Sequence, residues 1–331
     1  MRLQNLLASP MMIDSRFIPT LLTDIAQEAS NPSITEINEI GPAKGTEMWG
    51  MNVETGARFD GPASEQQAED GTLLAVVPFT GVVTRHGLST WYGYYPGTAD
   101  IGRQLKALDQ NKSIGAIVMV IDSPGGQVAG TPELAEIVYD IRKAGNTKII
   151  AAVDTLMASA ATYVGTACEK VYAMGTAMCG SIGVISSYSE YSKMLEQMGI
   201  SVEVFREPSL KARFSGVEPM DDDMRETMID RNSVIYDAFV DDVAKYRGVS
   251  ASAVKKRFGG GEVMFAEEAL EAGMIDGVAT PDAVINMVFD DLAAANQEVS
   301  AKRTAKRKAS MLAQLEAREG EVDITPTDDD E

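Results

Sequence analysis

Apolar positions along the chain fall into strand-then-helix units that repeat from about residue 72 to residue 285. Leu73 to Val77 is an apolar run, and Gly81-Val82-Val83 a shorter one. Ile101 to Leu108 has helical spacing, and Ala116 to Ile121 is again continuously apolar. A turn, Asp122-Ser123-Pro124-Gly125-Gly126, leads from that strand into the amphipathic stretch TPELAEIVYDIRKA. The pattern recurs at Lys148 to Val153 and at Lys170 to Met174. Strands that are apolar throughout, rather than alternating, belong to parallel sheets covered on both faces. Their alternation with helices predicts an α/β fold.

The flanks read differently. Residues 1 to about 30 show helical spacing through Leu6, Leu7, Phe17, Ile18, Leu21, Leu22 and Ile25, broken by Pro10 and Pro19. Residues 31 to 70 are rich in Gly, Pro, Ser and acidic side chains and read as a linker or loose arm. The Gly-rich aromatic stretch GLSTWYGYYPGTAD reads as a surface loop, a lid or a contact surface. SVEVF, residues 201 to 205, alternates like a strand. After Pro219 one long amphipathic helix is predicted, with Met224, Met228, Ile235, Phe239 and Val243 near one face. EVMFAEEALEAGMIDGVA reads as strand, helix, strand. Past Ala294 a basic helical stretch gives way to an acidic tail predicted to be disordered.

Composition narrows the chemistry. At 331 residues and 45% hydrophobic content the chain has enough material for one large α/β domain with extensions, or for two domains. A net charge of −20 argues against general affinity for nucleic acid or for an anionic membrane surface. The two cysteines, Cys168 and Cys179, have no CxxC spacing and fit a reducing compartment. The first residues make a poor signal peptide, and no run approaches the roughly 18 apolar residues of a membrane span. A soluble, cytoplasmic protein is expected. With a single histidine, His86, the HExxH motif and histidine-rich metal sites lack their residues. Neither a GxxxxGK[ST] loop nor a GxSxG elbow occurs, and His86 reads as a surface or loop residue.

Two stretches remain that could carry chemistry. The Pro-Gly-Gly turn after the Ala116–Ile121 strand can aim backbone N–H groups outward with no side chain in the way, as an oxyanion hole requires. Taken alone, it is better explained as a tight turn. The second is LMASAATYVG, where Ser159 stands at a strand-to-helix turn among Ala158, Ala160 and Ala161. Its hydroxyl could cap the helix, or it could be a nucleophile with the Ala160 N–H beside it. A serine nucleophile needs a base, and where histidine is nearly absent a lysine can serve, because Ser–Lys pairs are a known variant of the triad.

Four blocks in order point to a family: IVMVIDSPGGQVAG, MASAATYVGTACEKVYAMGTAMCGSIGVI, LKARFSGVEPMDDDMRETM and GGEVMFAEEALEAGMIDGV. Together they resemble the signal peptide peptidase A family of serine peptidases, and within it the phage head-maturation (capsid assembly) proteases. The resemblance implies a crotonase-like (Clp protease-like) fold of stacked βαβ units with a helical C-terminal extension. It implies a Ser–Lys dyad, with the nucleophile on Ser159 and the base on Lys211. Gly125 or Gly126 and the N–H of Ala160 would hold the oxyanion, and Ser181 would orient the lysine. It divides the chain into an N-terminal arm and linker (1–70), a peptidase domain (71–285) and a charged tail (286–331).

The expected activity is therefore that of a serine endopeptidase that needs no cofactor or metal. Its expected substrates are scaffold, portal or other capsid proteins, and the chain itself, in the host cytoplasm inside the assembling procapsid. Ring-like homo-oligomers are expected, and neither nucleic acid nor membrane as partner. Membrane-bound members carry an N-terminal anchor; none is expected here, which favours the viral branch. Two other readings stay open: an acyl-CoA hydratase or isomerase on the same fold, and a non-catalytic scaffold or shell component.

Overall fold

The computed structural model describes residues 10–19, 23, 45–61, 72–90 and 93–320. Its centre is a nine-stranded mixed sheet. In chain order the strands are β1 (Met11–Ile13), β2 (Trp49–Asn52), β3 (Arg58–Asp60), β4 (Leu73–Thr80), β5 (Leu88–Thr90), β6 (Gly93–Tyr95) and β7 (Ile114–Ser123). They continue with β8 (Gly125–Gln127), β9 (Lys148–Ala158), β10 (Lys170–Ala173), β11 (Met178–Gly180), β12 (Val263–Phe265) and β13 (Gly277–Val278). The helices are α1 (Thr98–Gln110), α2 (Thr131–Ala144), α3 (Ala160–Gly165), α4 (Ser192–Gln197), α5 (Asp222–Arg247), α6 (Ala251–Arg257), α7 (Ala266–Ala272) and α8 (Pro281–Gly320).

The main sheet runs β12-β11-β9-β7-β4-β2-β3, with β10 paired to the first half of β9 and β13 to β10. β4, β7 and β9 are parallel and form its middle. Their side chains sort by a period of two, as strand geometry requires. Leu73, Ala75, Val77 and Phe79 of β4 face one core, together with Ile117, Met119 and Ile121 of β7 and Ile149, Ala151 and Val153 of β9. Helices α1, α2 and α5 cover that face through Leu105, Val138 and Phe239, among others. Leu74, Val76, Ala116, Val118, Ile150 and Ala152 face the opposite core, which Val284, Ile285, Val288 and Leu292 of α8 close. Both faces are dry, which is why these strands read as unbroken apolar runs.

β9 does the work of two strands. Lys170 to Ala173 of β10 pair with its first half, and Met178 to Gly180 of β11 pair with its last three residues. Between the halves the register against β7 shifts, so that Ser123 faces Met157. The strand is thus carried past Val153 to Ala158 and delivers the next residue, Ser159, to the end of the sheet.

Several expectations need correction. The residues read as a linker include β2 and β3, which pair antiparallel with β4 and with each other at the sheet edge. Met11–Ile13, within the segment of helical spacing, is a strand, and Ser15–Phe17 is a single 3-10 turn. Leu6, Leu7, Leu21, Leu22 and Ile25 lie outside the described residues, as does the acidic tail beyond residue 320. SVEVF forms no strand: Val202 and Phe205 are exposed, and the segment pairs with no described strand. The aromatic segment forms the β5–β6 hairpin. α8 runs unbroken from the sheet into the basic stretch, exposed over residues 301–313. Cys168 and Cys179 are both free and buried, and burial pushes each thiol up to about 12.

One half-buried ion pair ties α5 to the sheet. Asp276 accepts from Arg247 Nη1 (2.8 Å) and from the Val171 N–H (2.9 Å), with Lys170 Nζ at 3.3 Å. Burial pushes this carboxyl up, but the hydrogen bonds from Arg247 and Val171 and the two positive charges outweigh it and hold the pKa low. A carboxylate depressed in the fold adds stability above its unfolded value of about 3.9, and that stability is lost as pH falls through the folded value. Asp276→Asn is therefore expected to cost about 2 kcal/mol at neutral pH. It should also flatten the acid side of a melting-temperature profile; an unchanged acid side would show that the pair contributes nothing.

Candidate active site

The chain turns sharply where β9 meets α3, and Ser159 is the residue at the turn. Its backbone sits at φ 55°, ψ −114°, a conformation L-residues rarely hold. The Ser159 N–H donates to the Gly180 carbonyl (2.8 Å), and its own carbonyl accepts from Tyr163 N–H (3.0 Å). Thr162 Oγ1 lies between the carbonyls of Met157 (2.7 Å) and Gly180 (2.8 Å) and fastens the same corner. Tyr163 stacks on Phe239 at 4.6 Å between centroids, and its hydroxyl donates to Asp242, so α5 clamps α3 from behind. Burial, the Asp242 hydrogen bond and its charge push the Tyr163 pKa upward, which keeps the phenol a donor.

The Ser159 hydroxyl has been left out of this scaffold. It makes no cap bond, and its buried oxygen has no hydrogen-bond partner among the described residues. A buried hydroxyl without a partner is costly and calls for a reason beyond packing. Capping is therefore not its role.

The glycine turn stands directly against this corner. A Cβ added to Gly125 would lie 2.8 Å from the Ala158 carbonyl oxygen and 2.9 Å from the Ala160 nitrogen. Only a residue without a side chain lets the two turns approach this closely. The Gly125 N–H donates to Ser123 Oγ (3.1 Å), whose hydroxyl donates to the Gly81 carbonyl (2.6 Å). Ser123, Thr162 and Gly180 are thus positioning residues that sequence reasoning passed over. A small hydroxyl residue three positions after the serine was the available sign for Thr162.

Ser181 follows Gly180 at the end of β11, buried and also at positive φ (56°). Its N–H donates to the Glu262 carbonyl (2.7 Å). The structure brings together Ser159, Ala160, Gly125 and Ser181, but not Lys211. That lysine lies on the exposed segment between α4 and α5, and no hydrogen bond or ion pair engages its ammonium among the described residues. Its neighbour Ala212 has φ 62°. Among the described residues the non-glycine positions at positive φ are Ser159, Ser181 and Ala212, each at or beside an expected site residue. His86 is exposed in a loop, as expected.

A cavity lies nearby, at the carboxyl ends of β4, β7 and β9, bordered by Phe17, Thr80, Tyr95, Asp122, Pro124 and Thr155. Asp154, also on its wall, has its pKa raised by burial and by the charges of Asp122 and Asp282. Among the described residues no helix is long and apolar enough to cross a membrane.

Comparison with known proteins agrees with this arrangement. Residues 141–295 match the model of peptidase family S49, and residues 97–182 match that of Clp protease. The resemblance to the S49 peptidases is confirmed. The chain is 27% identical over 274 residues to Capsid assembly protease C of Escherichia phage lambda, covering 82% of this chain and 62% of that protein. It is 28% identical over 243 residues to Head-tail preconnector protein GP5 of Enterobacteria phage P21, covering 72% and 47%. Over 190 residues it is 26% identical to Serine protease SPPA, chloroplastic, of Arabidopsis thaliana, covering 55% and 27%. The chain thus spans under two thirds of the length of either phage relative. The fold is α/β of the Clp protease-like kind, and the S49 match runs from the end of α2 through Ser159 into α8.

Proposed function

We propose that the chain is a serine endopeptidase of the Ser–Lys type that cleaves polypeptides of an assembling phage capsid. The observation that carries this reading is Ser159: a strained residue whose buried hydroxyl no described neighbour uses, set against a glycine turn. Resemblance to a capsid assembly protease and to S49 peptidases supports the reaction class and, through the phage relatives, the substrate class.

In this mechanism Ser159 Oγ attacks the scissile carbonyl while the neutral amine of Lys211 takes its proton. The Ala160 N–H, with a donor from the glycine turn, holds the oxyanion, and preorganised donors of this kind are worth about 10²–10³ in rate. The protonated lysine then returns its proton to the leaving amine, and water enters by the reverse route. Ser181 orients the lysine. No cofactor or metal takes part.

The dyad needs Lys211 brought to Ser159, and a second copy of the chain is the proposed means. Lys211 sits on a segment with exposed Tyr191, Met194, Met198, Phe205 and Leu210, a surface suited to contact between subunits. Whether the lysine serves its own subunit or a neighbour is decided by mixing. Ser159→Ala and Lys211→Ala should each lower cleavage of a co-expressed scaffold by at least about 10³-fold. If the lysine acts across the boundary, the mixed mutants regain part of the activity; if within one subunit, they stay inactive. Full activity of Lys211→Ala alone would remove the lysine from the mechanism.

A further inference from the structure

β1 lies beside the candidate nucleophile in an unusual way. Met11, Met12 and Ile13 pair antiparallel with Gln127, Gly126 and Gly125 of β8, the strand that carries the glycine turn. On its other edge Met11 exchanges both backbone hydrogen bonds with Ile185, at 2.9 and 2.8 Å. Three extended segments thus run side by side, with β1 in the middle.

The phase of the ladder decides what β1 occupies. Asp14 N–H donates to the Pro124 carbonyl (2.8 Å), and Val128 N–H to the Pro10 carbonyl (3.3 Å). Hydrogen-bonded pairs alternate in an antiparallel ladder, so Met12 and Gly126, midway between, form the next such pair. The Gly126 N–H, a candidate oxyanion donor, therefore faces the Met12 carbonyl. That carbonyl oxygen lies 2.2 Å from the point a Gly125 Cβ would take, beside the Ala160 nitrogen at 2.9 Å from it.

The side chains of β1 are accommodated on both faces. Met11 and Ile13 pack with Leu88, flanked by Ile18, Val82 and Tyr95, and Met12 enters the main core. All three are buried. Past the strand, Asp14 accepts from the Arg16 guanidinium (2.7 Å).

We propose that β1 occupies the polypeptide groove of this site, as an internal stand-in for an extended substrate, and that substrate enters only when β1 leaves. An extended chain that adds itself to a sheet edge is a general mode of peptide recognition. With β1 gone, the backbone groups of Gly126, Val128 and Ile185 that now face it would be open to another chain. Burial of Met11, Met12 and Ile13 on alternate faces specifies the occupant: an extended polypeptide with aliphatic side chains at successive positions. This rests on the reading of Ser159 as nucleophile.

The test uses the full chain and a labelled peptide of residues 8–17, ASPMMIDSRF. In a Ser159→Ala background, anisotropy titrations compare the chain with normal β1 against two variants. Met11→Asp with Ile13→Asp puts carboxylates in the apolar cluster, and Met12→Pro removes one ladder N–H while sparing that cluster. Peptide binding at least tenfold tighter to the variants is expected, and equal binding overturns the proposal. With Ser159 intact, a fluorophosphonate probe should label the variants at least tenfold faster. If labelling fails in every form while the binding difference persists, the nucleophile assignment falls and the occupied groove stands. Should both variants unfold, hydrogen exchange on the unaltered chain decides. Saturating peptide should strip protection from residues 10–14, and unchanged protection overturns the proposal.

Discussion

Replacing Ser159 by alanine is expected to abolish cleavage and, at the same time, to make the protein more stable. The two effects have one cause. The buried Oγ has no partner among the described residues, and an unsatisfied buried polar group costs about 1–3 kcal/mol. Removing it recovers part of that amount, so a gain of about 1 kcal/mol is expected for Ser159→Ala. Ser159→Gly should also gain, because φ 55°, ψ −114° costs a side-chain-bearing residue about 1–3 kcal/mol. The greater chain entropy of glycine, about 0.5–1 kcal/mol, offsets some of this. Chemical denaturation of the three proteins, alongside a gel assay of scaffold cleavage, measures both sides. A loss of stability in Ser159→Ala would mean that the hydroxyl supports the helix after all. Stability gained as activity disappears is the behaviour of a residue held in place for chemistry.

That trade bears on how the site could be read from sequence. The parallel middle of the sheet was legible because β4, β7 and β9 are buried on both faces and spell unbroken apolar runs. The turn at Ser159 was legible as a crowd of small residues at the end of such a run. Its strain was not, because serine at a helix start is ordinary and only the backbone angles separate a cap from a displaced hydroxyl. β2 hid for a different reason. Trp49-Gly50-Met51-Asn52 carries a glycine where a Cβ would meet Phe59 at 2.4 Å and the Leu74 carbonyl at 2.5 Å. Close packing of neighbours, not a run of β-formers, makes it a strand.

β1 was harder still. Three residues between Pro10 and Asp14 are too few for any period, and their partners lie more than a hundred positions away. SVEVF errs in the opposite direction: alternation without a partner strand makes no strand, and Val202 and Phe205 stay exposed. Lys211 could be named only by resemblance, since its segment carries no pattern and the single chain leaves it in solvent.

Gly125→Ala is the second large effect, and it separates steric closeness from backbone strain. Gly125 has φ 91°, which alone costs an alanine about 1–2 kcal/mol. The added Cβ would also stand 2.2 Å from the Met12 oxygen, 2.8 Å from the Ala158 oxygen and 2.9 Å from the Ala160 nitrogen. All three are backbone atoms, so no side chain can swing aside. Either β1 is pushed out or the nucleophile turn moves away from the glycine turn. Gly145, at the end of α2, is the control: it has φ 67°, and a Cβ there would meet nothing within 4 Å. Gly145→Ala should lose about 1 kcal/mol and keep full activity. Gly125→Ala should lose about 3 kcal/mol, by adding overpacking to strain, and at least about 10²-fold in cleavage as the oxyanion donors separate. Melting curves and cleavage rates for the pair supply the comparison. Equal stability losses would show that the glycine turn can retreat, and that its contact with the Ser159 corner is not what fixes the site.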